Sequence, residues 1–408
     1  MDFVEDFQTR VEGELAKLEE EPRRKRGIAN IPPQKAPRKN EILRTGKLAR
    51  LPRSSVIPEG GTTVHLAHEN FDLVAVIMFG IKRAADSTFD TLLGLPPRAE
   101  DFRAKSTFDI LPSAQFSRRI RKSVFKDYAP VAFAKIRQSF GIQKEDYIGS
   151  LGPHQIMMSI IGQDYRSLRE LCSSGKSGSF FYYTADGRFT LKTVSRAHFH
   201  AFRTLMPAYY EHVVGQPGTL ISRIFGLHKI LFSRGRRLKK VYFVIMNNVF
   251  NTPRQIHQRF DLKGSTVGRA LRGPQQDDPT IAQKDLDFNR KVGKLTLPPD
   301  DRARVLAQVR EDVRFFEKVG VIDYSLLLGI HYRRRDEEAE TSLDGGLVCG
   351  PDQDQVLYLG IIDIFTRFSR RKQSEYHFKR LFFGPGISCV PPRRYAARFQ
   401  AYIASIFV

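Results

Sequence analysis

Apolar residues recur three and four positions apart from Phe71 to Lys82, which predicts an amphipathic helix. Tyr128 to Phe140 repeats that spacing, with Phe133, Ile136 and Phe140 on one side. Between them, Pro96 to Ser123 has no period and reads as loop. Its basic run, Arg118-Arg119-Ile120-Arg121-Lys122, faces either water or a membrane. The period then shortens. Ser179 to Thr184 and Arg188 to Val194 are β-branched and aromatic, and Ala185-Asp186-Gly187 between them makes a hairpin turn. Ala197 to Val213 returns to helical spacing, with an interruption expected near Pro207. Lys229 to Phe232 and Val241 to Met246 flank Ser233-Arg234-Gly235-Arg236, a second hairpin. Further on come a helix from Asp300 to Gly320, strands from Tyr324 to His331 and Gln355 to Ile364, and a final helix from Arg393 to Phe407. The polar insert Arg335 to Asp354 reads as a surface loop. Strands followed by mixed helices and strands predict an α+β protein of two lobes around a cleft.

At 408 residues the chain is long enough for one large domain or two smaller ones. Residues 1–66 break the pattern. Glu5 to Glu21 suits a short charged helix, but Arg23-Arg24-Lys25-Arg26 and the Pro-containing basic stretch Ile31 to Glu59 read as a disordered extension. It is either a solvated tail or a polybasic arm drawn to membrane. The longest apolar run, Leu73 to Ile81, falls far short of the roughly 20 residues that span a bilayer. The acidic start Met1-Asp2-Phe3-Val4-Glu5-Asp6 lacks a signal-peptide pattern. The three cysteines, Cys172, Cys349 and Cys389, are isolated and form neither a disulfide framework nor a zinc pattern, which points to a reducing intracellular compartment. Sixty-six Lys and Arg against 44 acids give a net charge of +22, a surface that seeks polyanions. No zinc finger or aromatic RNA-binding pair accompanies that charge, so an anionic membrane is favoured over nucleic acid.

The candidate chemistry is distributed along the chain. Gly175 and Gly178 flank Lys176 and Ser177, and such a loop lets backbone N–H groups approach phosphate oxygens. Lys192 lies 14 residues beyond Gly178 on the second strand of the first hairpin. A strand lysine in that relation grips nucleotide phosphates; alone it would be a solvent-facing strand residue. Met246 and Asn247 end a buried strand where backbone groups can meet an adenine edge, or where Asn merely caps the strand. Asp261 and Lys263, two apart, are expected to share a strand face. They form a salt bridge, or Lys263 meets a phosphate. Asp323 and Asp363 sit in the apolar runs Ile322 to Leu328 and Ile361 to Phe365, where an ionised carboxylate needs a compensating cation or donor. Asp363 is the candidate magnesium ligand and Asp323 the candidate to orient a hydroxyl or accept its proton. Singly, each also suits a turn or helix cap. Taken jointly, these are the parts that phosphoryl transfer from a nucleotide requires.

The same strings resemble the phosphatidylinositol phosphate kinase family. They run in family order: Gly175 to Phe189 with Lys192-Thr193, Met206-Pro207, Met246-Asn247-Asn248, Asp261-Leu262-Lys263-Gly264-Ser265, Lys284 to Phe288, Asp323 to Leu327 and Ile361-Ile362-Asp363. The resemblance covers residues 65 to 408. It implies a two-lobed lipid kinase fold distantly related to protein kinases, with an antiparallel sheet in an N-lobe of about 67–250 and a mixed α/β C-lobe of about 251–408. It implies ATP and Mg2+, a phosphate grip for Lys192, a catalytic-loop role for Asp323 and a metal role for Asp363. In this family the segment after the last aspartate governs substrate choice and membrane docking. Here Thr366 to Leu381 sets Tyr376, Phe378 and Leu381 beside Arg370, Arg371, Lys372, Lys379 and Arg380, which suits an anionic interface. Glu375 aligns with the glutamate of type I enzymes, the phosphatidylinositol 4-phosphate 5-kinases, where type II enzymes have alanine. The expectation is therefore a 5-kinase acting peripherally on the cytoplasmic face of the plasma membrane, with a homodimer left open. A type II-like 4-kinase and a catalytically weak membrane-binding scaffold are the alternatives. The family's helix glutamate that pairs with the strand lysine is missing: Ser195 to His200 holds no acid, and His198 stands in its place.

Overall fold

Aromatic and β-branched runs in the first half of the chain pair into one antiparallel sheet, and apolar runs in the second half form another. The computed structural model describes residues 62–63, 71–89, 96–110, 120–153, 169–172, 180–234, 237–273, 278, 280–333, 345–350, 354–383 and 386–408. All of these fall in one contact unit.

In chain order the first half contains β1 (Thr62–Thr63), α1 (Phe71–Phe89), β2 (Lys105–Ile110), β3 (Ile120–Tyr128), α2 (Pro130–Ser139) and α3 (Lys144–Leu151). It continues through β4 (Arg169–Cys172), β5 (Phe180–Tyr183), β6 (Phe189–Thr193), α4 (Arg196–Gly215), β7 (Ile224–Arg234) and β8 (Arg237–Asn247). The eight strands lie in the order β1-β4-β5-β6-β8-β7-β3-β2. The second half adds β9 (Gln258–Leu262), α5 (Asp285–Lys291), α6 (Pro299–Val319), β10 (Val321–Ile322), β11 (Ser325–Tyr332), β12 (Leu347–Cys349), β13 (Gln355–Ile362), β14 (Thr366–Arg367), α7 (Arg370–Phe383) and α8 (Pro392–Ile406). Its four-stranded sheet runs β12-β13-β11-β9, and β10 pairs separately with β14. Among the described residues no helix is long and apolar enough to cross a membrane.

Several expectations change. The stretch expected to be loop between the first helices contains β2 and the start of β3, which pair over Lys105–Ile110 and Ser123–Tyr128. Tyr128 ends that strand, so the helix begins at Pro130, where a proline is tolerated because the first-turn N–H has no intrahelical partner. Helix α4 runs unbroken through Pro207. An interior proline costs about 3 kcal/mol. Six buried side chains, Phe199, Phe202, Leu205, Met206, Tyr209 and Val213, oppose it with about 1.5–3 kcal/mol each for large apolar groups, so packing wins. Strand β1 lies inside the stretch expected to be an extension and pairs with β4 through Thr62–Glu170 and Thr63–Arg169. The disorder expected of residues 1–61 lies outside the described residues. Strand β13 ends at Ile362 rather than Ile364, which leaves Asp363 just beyond the ladder. The segment after Asp363, expected as a docking loop, is mostly helix α7.

Candidate active site

Three neighbouring strands end together. Leu262 of β9 pairs with Leu326 of β11, and Ser325 of β11 pairs with Ile362 of β13. Lys263, Asp323 and Asp363 therefore emerge at one end of the four-stranded sheet. Just beyond, Ile322 pairs with Thr366 in the separate β10–β14 ladder. Two segments of the chain thus cross from one ladder to the other, through Asp323-Tyr324 and Asp363-Ile364-Phe365. Both aspartates take left-handed backbone, with φ of 67° and 64°. That conformation costs a non-glycine residue about 1 kcal/mol or more and persists only where neighbours impose it. The neighbours are plain. Tyr324 is buried, its ring 4.3 Å from Phe316, 4.7 Å from Tyr395 and 5.0 Å from Phe399, and Tyr395 Oη donates to its carbonyl. Ile364 and Phe365 are buried, with Phe365 packed edge-on against Phe202 of α4 at 5.4 Å. Burial of each aromatic ring outweighs the strain of the aspartate preceding it.

The larger sheet brings a lysine to this place. Lys192 sits mid-strand on β6, opposite Phe181 of β5 and Val244 of β8. Its ammonium pairs with Asp363 Oδ1 and lies 4.9 Å from the centre of the Phe181 ring. Burial pushes the Asp363 carboxyl up, but the Lys192 ammonium, with Lys263 and His198, more than reverses this, and the net shift is downward. The Asp363 side chain remains 40% exposed, so a ligand can still reach it.

Lys263 makes the second pair. Its Nζ donates to Asp323 Oδ1 at 2.8 Å and to the Asp323 carbonyl at 2.9 Å. Burial lowers the Lys263 ammonium, but the Asp323 and Asp261 carboxylates prevail and hold it above the ordinary lysine value, so it stays charged. The expected sharing of a strand face by Asp261 and Lys263 does not occur. Strand β9 stops at Leu262, the chain turns, and Asp261 pairs with Arg269 at 2.7 Å instead. The turn needs Gly264, whose φ is 65° and whose missing Cβ would lie 2.9 Å from Tyr402 Cβ.

That turn is organised by Asp285, whose local role is not apparent from spacing alone. Its Oδ1 accepts from the amides of Lys263 at 2.8 Å and Gly264 at 2.7 Å, while its Oδ2 accepts from Arg269 Nε at 2.5 Å. The only sequence signal is the pattern of acids in Lys284 to Phe288, which carries no indication of its partners.

The remaining candidates separate. Gly175, Ser177 and Gly178 lie outside the described residues. Met246 is buried in β8; Asn247 ends the strand, with its Oδ1 accepting from the Arg223 amide at 2.7 Å and its own amide donating to the Arg223 carbonyl at 3.0 Å. His198 lies in the first turn of α4, which is capped by Ser195 and contains no acid. Its ring lies 6.5 Å from Phe365, and desolvation pushes the imidazole below its ordinary value despite the pull of Asp363. A neutral imidazole supplies no counter-charge to Lys192; Asp363 supplies it. On α7, Glu375 is held between Lys372 at 2.8 Å and Lys379 at 2.5 Å. Arg370, Arg371 and Arg380 are exposed, and Arg380 donates to Tyr376 Oη. Tyr376 is buried, contrary to the expected apolar docking set, whereas Phe378 and Phe382 are 64% and 62% exposed with rings 4.8 Å apart.

Lys192 from the larger sheet thus meets Asp363, beside the Lys263–Asp323 pair at the end of the smaller sheet. The family described as Phosphatidylinositol-4-phosphate 5-Kinase matches residues 163–349 and 345–406, more than half of the chain, and the chain belongs to that family. A phosphatidylinositol 4-phosphate 5-kinase of Plasmodium falciparum is 35% identical over 370 residues, covering 83% of this chain and 21% of the relative. One from Schizosaccharomyces pombe is 33% identical, covering 85% of this chain and 54% of the relative. A probable phosphatidylinositol phosphate kinase of Dictyostelium discoideum is 28% identical, with 85% and 59% covered. The chain therefore spans about a fifth of the Plasmodium relative and somewhat over half of the other two.

Proposed function

We propose that this protein is a lipid kinase that transfers the γ-phosphate of ATP to the 5-hydroxyl of phosphatidylinositol 4-phosphate, giving phosphatidylinositol 4,5-bisphosphate. The observation that carries this reading is the joint placement of Lys192–Asp363 and Lys263–Asp323 on adjacent turns. The family membership and the names of the relatives support the same lipid. The two sheets act as lobes dividing near residue 250, in the manner of protein kinases, with nucleotide between them.

Each residue has a task its surroundings suit. Lys192, on a strand inside the larger sheet, meets phosphate oxygens, and the glycine-containing segment with Gly175, Ser177 and Gly178 is assigned to the same phosphates. Met246 and Asn247 border the adenine. Asp363 would hold magnesium: a partly exposed carboxylate kept ionised by a neighbouring ammonium suits a hard cation. When bound, the metal neutralises charge on the phosphate oxygens. Asp323 accepts the proton of the attacking 5-hydroxyl, oriented by its two contacts with Lys263. Lys263 is charged and steadies the transferred phosphoryl group.

The charge of +22 and the basic, phenylalanine-bearing α7 support peripheral action on an anionic cytoplasmic leaflet, that of the plasma membrane. Glu375 tunes which lipid is accepted. Incubation of the purified protein with labelled ATP and vesicles of phosphatidylinositol 4-phosphate or, separately, phosphatidylinositol 5-phosphate is expected to label the 5-position of the former. No bisphosphate, or label on the 4-position of phosphatidylinositol 5-phosphate alone, rejects the assignment. Replacing Glu375→Ala should shift preference between the two monophosphates, and an unaltered preference removes Glu375 from the specificity argument. A second reading, a weakly active membrane scaffold, draws on the missing acid in the first turn of α4. It predicts nucleotide and vesicle binding without turnover.

A further inference from the structure

We infer that Asp312 is a positioning residue for Asp363, acting through the strap Thr219–Ile224; the catalytic half of this inference rests on the kinase reading above. Asp312 projects from α6 and is 0% exposed. Its Oδ1 is met by His212 Nε2 of α4 at 2.8 Å and accepts from Thr219 Oγ1 at 2.7 Å and Gln308 Nε2 at 3.0 Å, while Oδ2 accepts from the Leu220 amide at 2.8 Å. A fully buried carboxylate engaged at both oxygens serves its protein neighbours rather than a ligand, yet α6 carries no part of the site.

What it holds explains its presence. Thr219 Oγ1, while donating to Asp312, accepts from the Ile221 amide at 3.1 Å. The held segment then clasps Ile361 of β13 from both sides: the Ile361 amide donates to the Leu220 carbonyl at 2.6 Å, and the Ser222 amide donates to the Ile361 carbonyl at 2.9 Å. Ile361 precedes Asp363 by two positions. At its other end the strap exchanges hydrogen bonds with Asn247 through Arg223. One short segment therefore ties the end of β8 to the end of β13, and Asp312 anchors it from beneath. Loosening the anchor frees the strand end that holds Asp363 in its left-handed turn, where a displacement on the order of 1 Å lowers turnover about a hundredfold.

The test is Asp312→Asn, nearly isosteric but unable to accept from Leu220 and from the Oδ1 donors with both oxygens. Two readings are taken on full-length folded protein: hydrogen exchange at the Ile361 amide, and kcat with KM for ATP on phosphatidylinositol 4-phosphate vesicles. The expected result is Ile361 exchange about tenfold faster, and kcat down about tenfold with KM within about twofold. Unchanged exchange, or wild-type kcat in the folded variant, overturns the inference and leaves Asp312 a stabilising residue only. If D312N does not fold, Thr219→Val, which removes the hydroxyl joining Asp312 to Ile221, decides by the same two readings. Absence of turnover in the wild type would reject the kinase reading instead, while the exchange reading would still report whether Asp312 governs Ile361.

Discussion

Two pairs of aspartates in this molecule answer the problem of a carboxylate in apolar surroundings in opposite ways. Asp285 and Asp312 are 2% and 0% exposed, and every oxygen is engaged by backbone amides or side chains. Asp323 and Asp363 are 36% and 40% exposed, sit in strained backbone, and each leans on one lysine. The first pair uses its hydrogen-bonding capacity to build loops. The second keeps capacity free and is placed where a cation or a hydroxyl can arrive. On the proposed function, acids that stabilise and acids that react are distinguished by what their oxygens still lack.

The comparison is most open to attack at Asp363. Asn tolerates left-handed backbone, so Asp363→Asn keeps the turn. Turnover is expected to fall about 10²–10³-fold, with unfolding free energy within about 1 kcal/mol of wild type. A vesicle phosphorylation assay and a urea titration measure the two, and retained turnover removes Asp363 from the chemistry. Asp285→Ala should do the reverse to stability. It removes the acceptor of Arg269 Nε and of two amides, while Arg269 keeps Asp261, at a cost of about 3 kcal/mol, read as a lowered urea midpoint. A loss below about 1 kcal/mol would mean water replaces the carboxylate at little cost.

The smallest effect is in pH. The folded Asp363 carboxyl lies below its ordinary value of 3.8, so its contribution to stability is present above that value and lost as pH falls through the lower folded one. Stability curves of wild type and Asp363→Asn should therefore differ by a constant offset above about pH 5 and change that offset below it, wild type losing more. A constant offset down to pH 2 would mean that Lys192 does not bias this carboxyl.

Legibility differed by kind of feature. The hairpin around Asp186 and the helices α6 and α8 were readable because their periods and turn residues are local. Strand β2 was not, since Lys105–Ile110 is an edge strand whose signal is weak until β3 lies beside it. Pro207 misled because a local penalty was weighed without the buried face that exceeds it. The shared strand face expected for Asp261 and Lys263 failed for the same reason: the end of β9 turned the lysine toward Asp323, 60 positions away.

Residue chemistry was thus written along the chain: a strand lysine, two acids in apolar runs, a large excess of positive charge and the motifs of a kinase family. Sequence patterns of short range carry such information because propensity, turns and charge act over a few residues. Which lysine meets which acid, the left-handed turns at Asp323 and Asp363, and the buried service of Asp285 and Asp312 emerged from folding alone. They depend on registers between strands and on burial among residues up to 171 positions apart, quantities that no local pattern encodes.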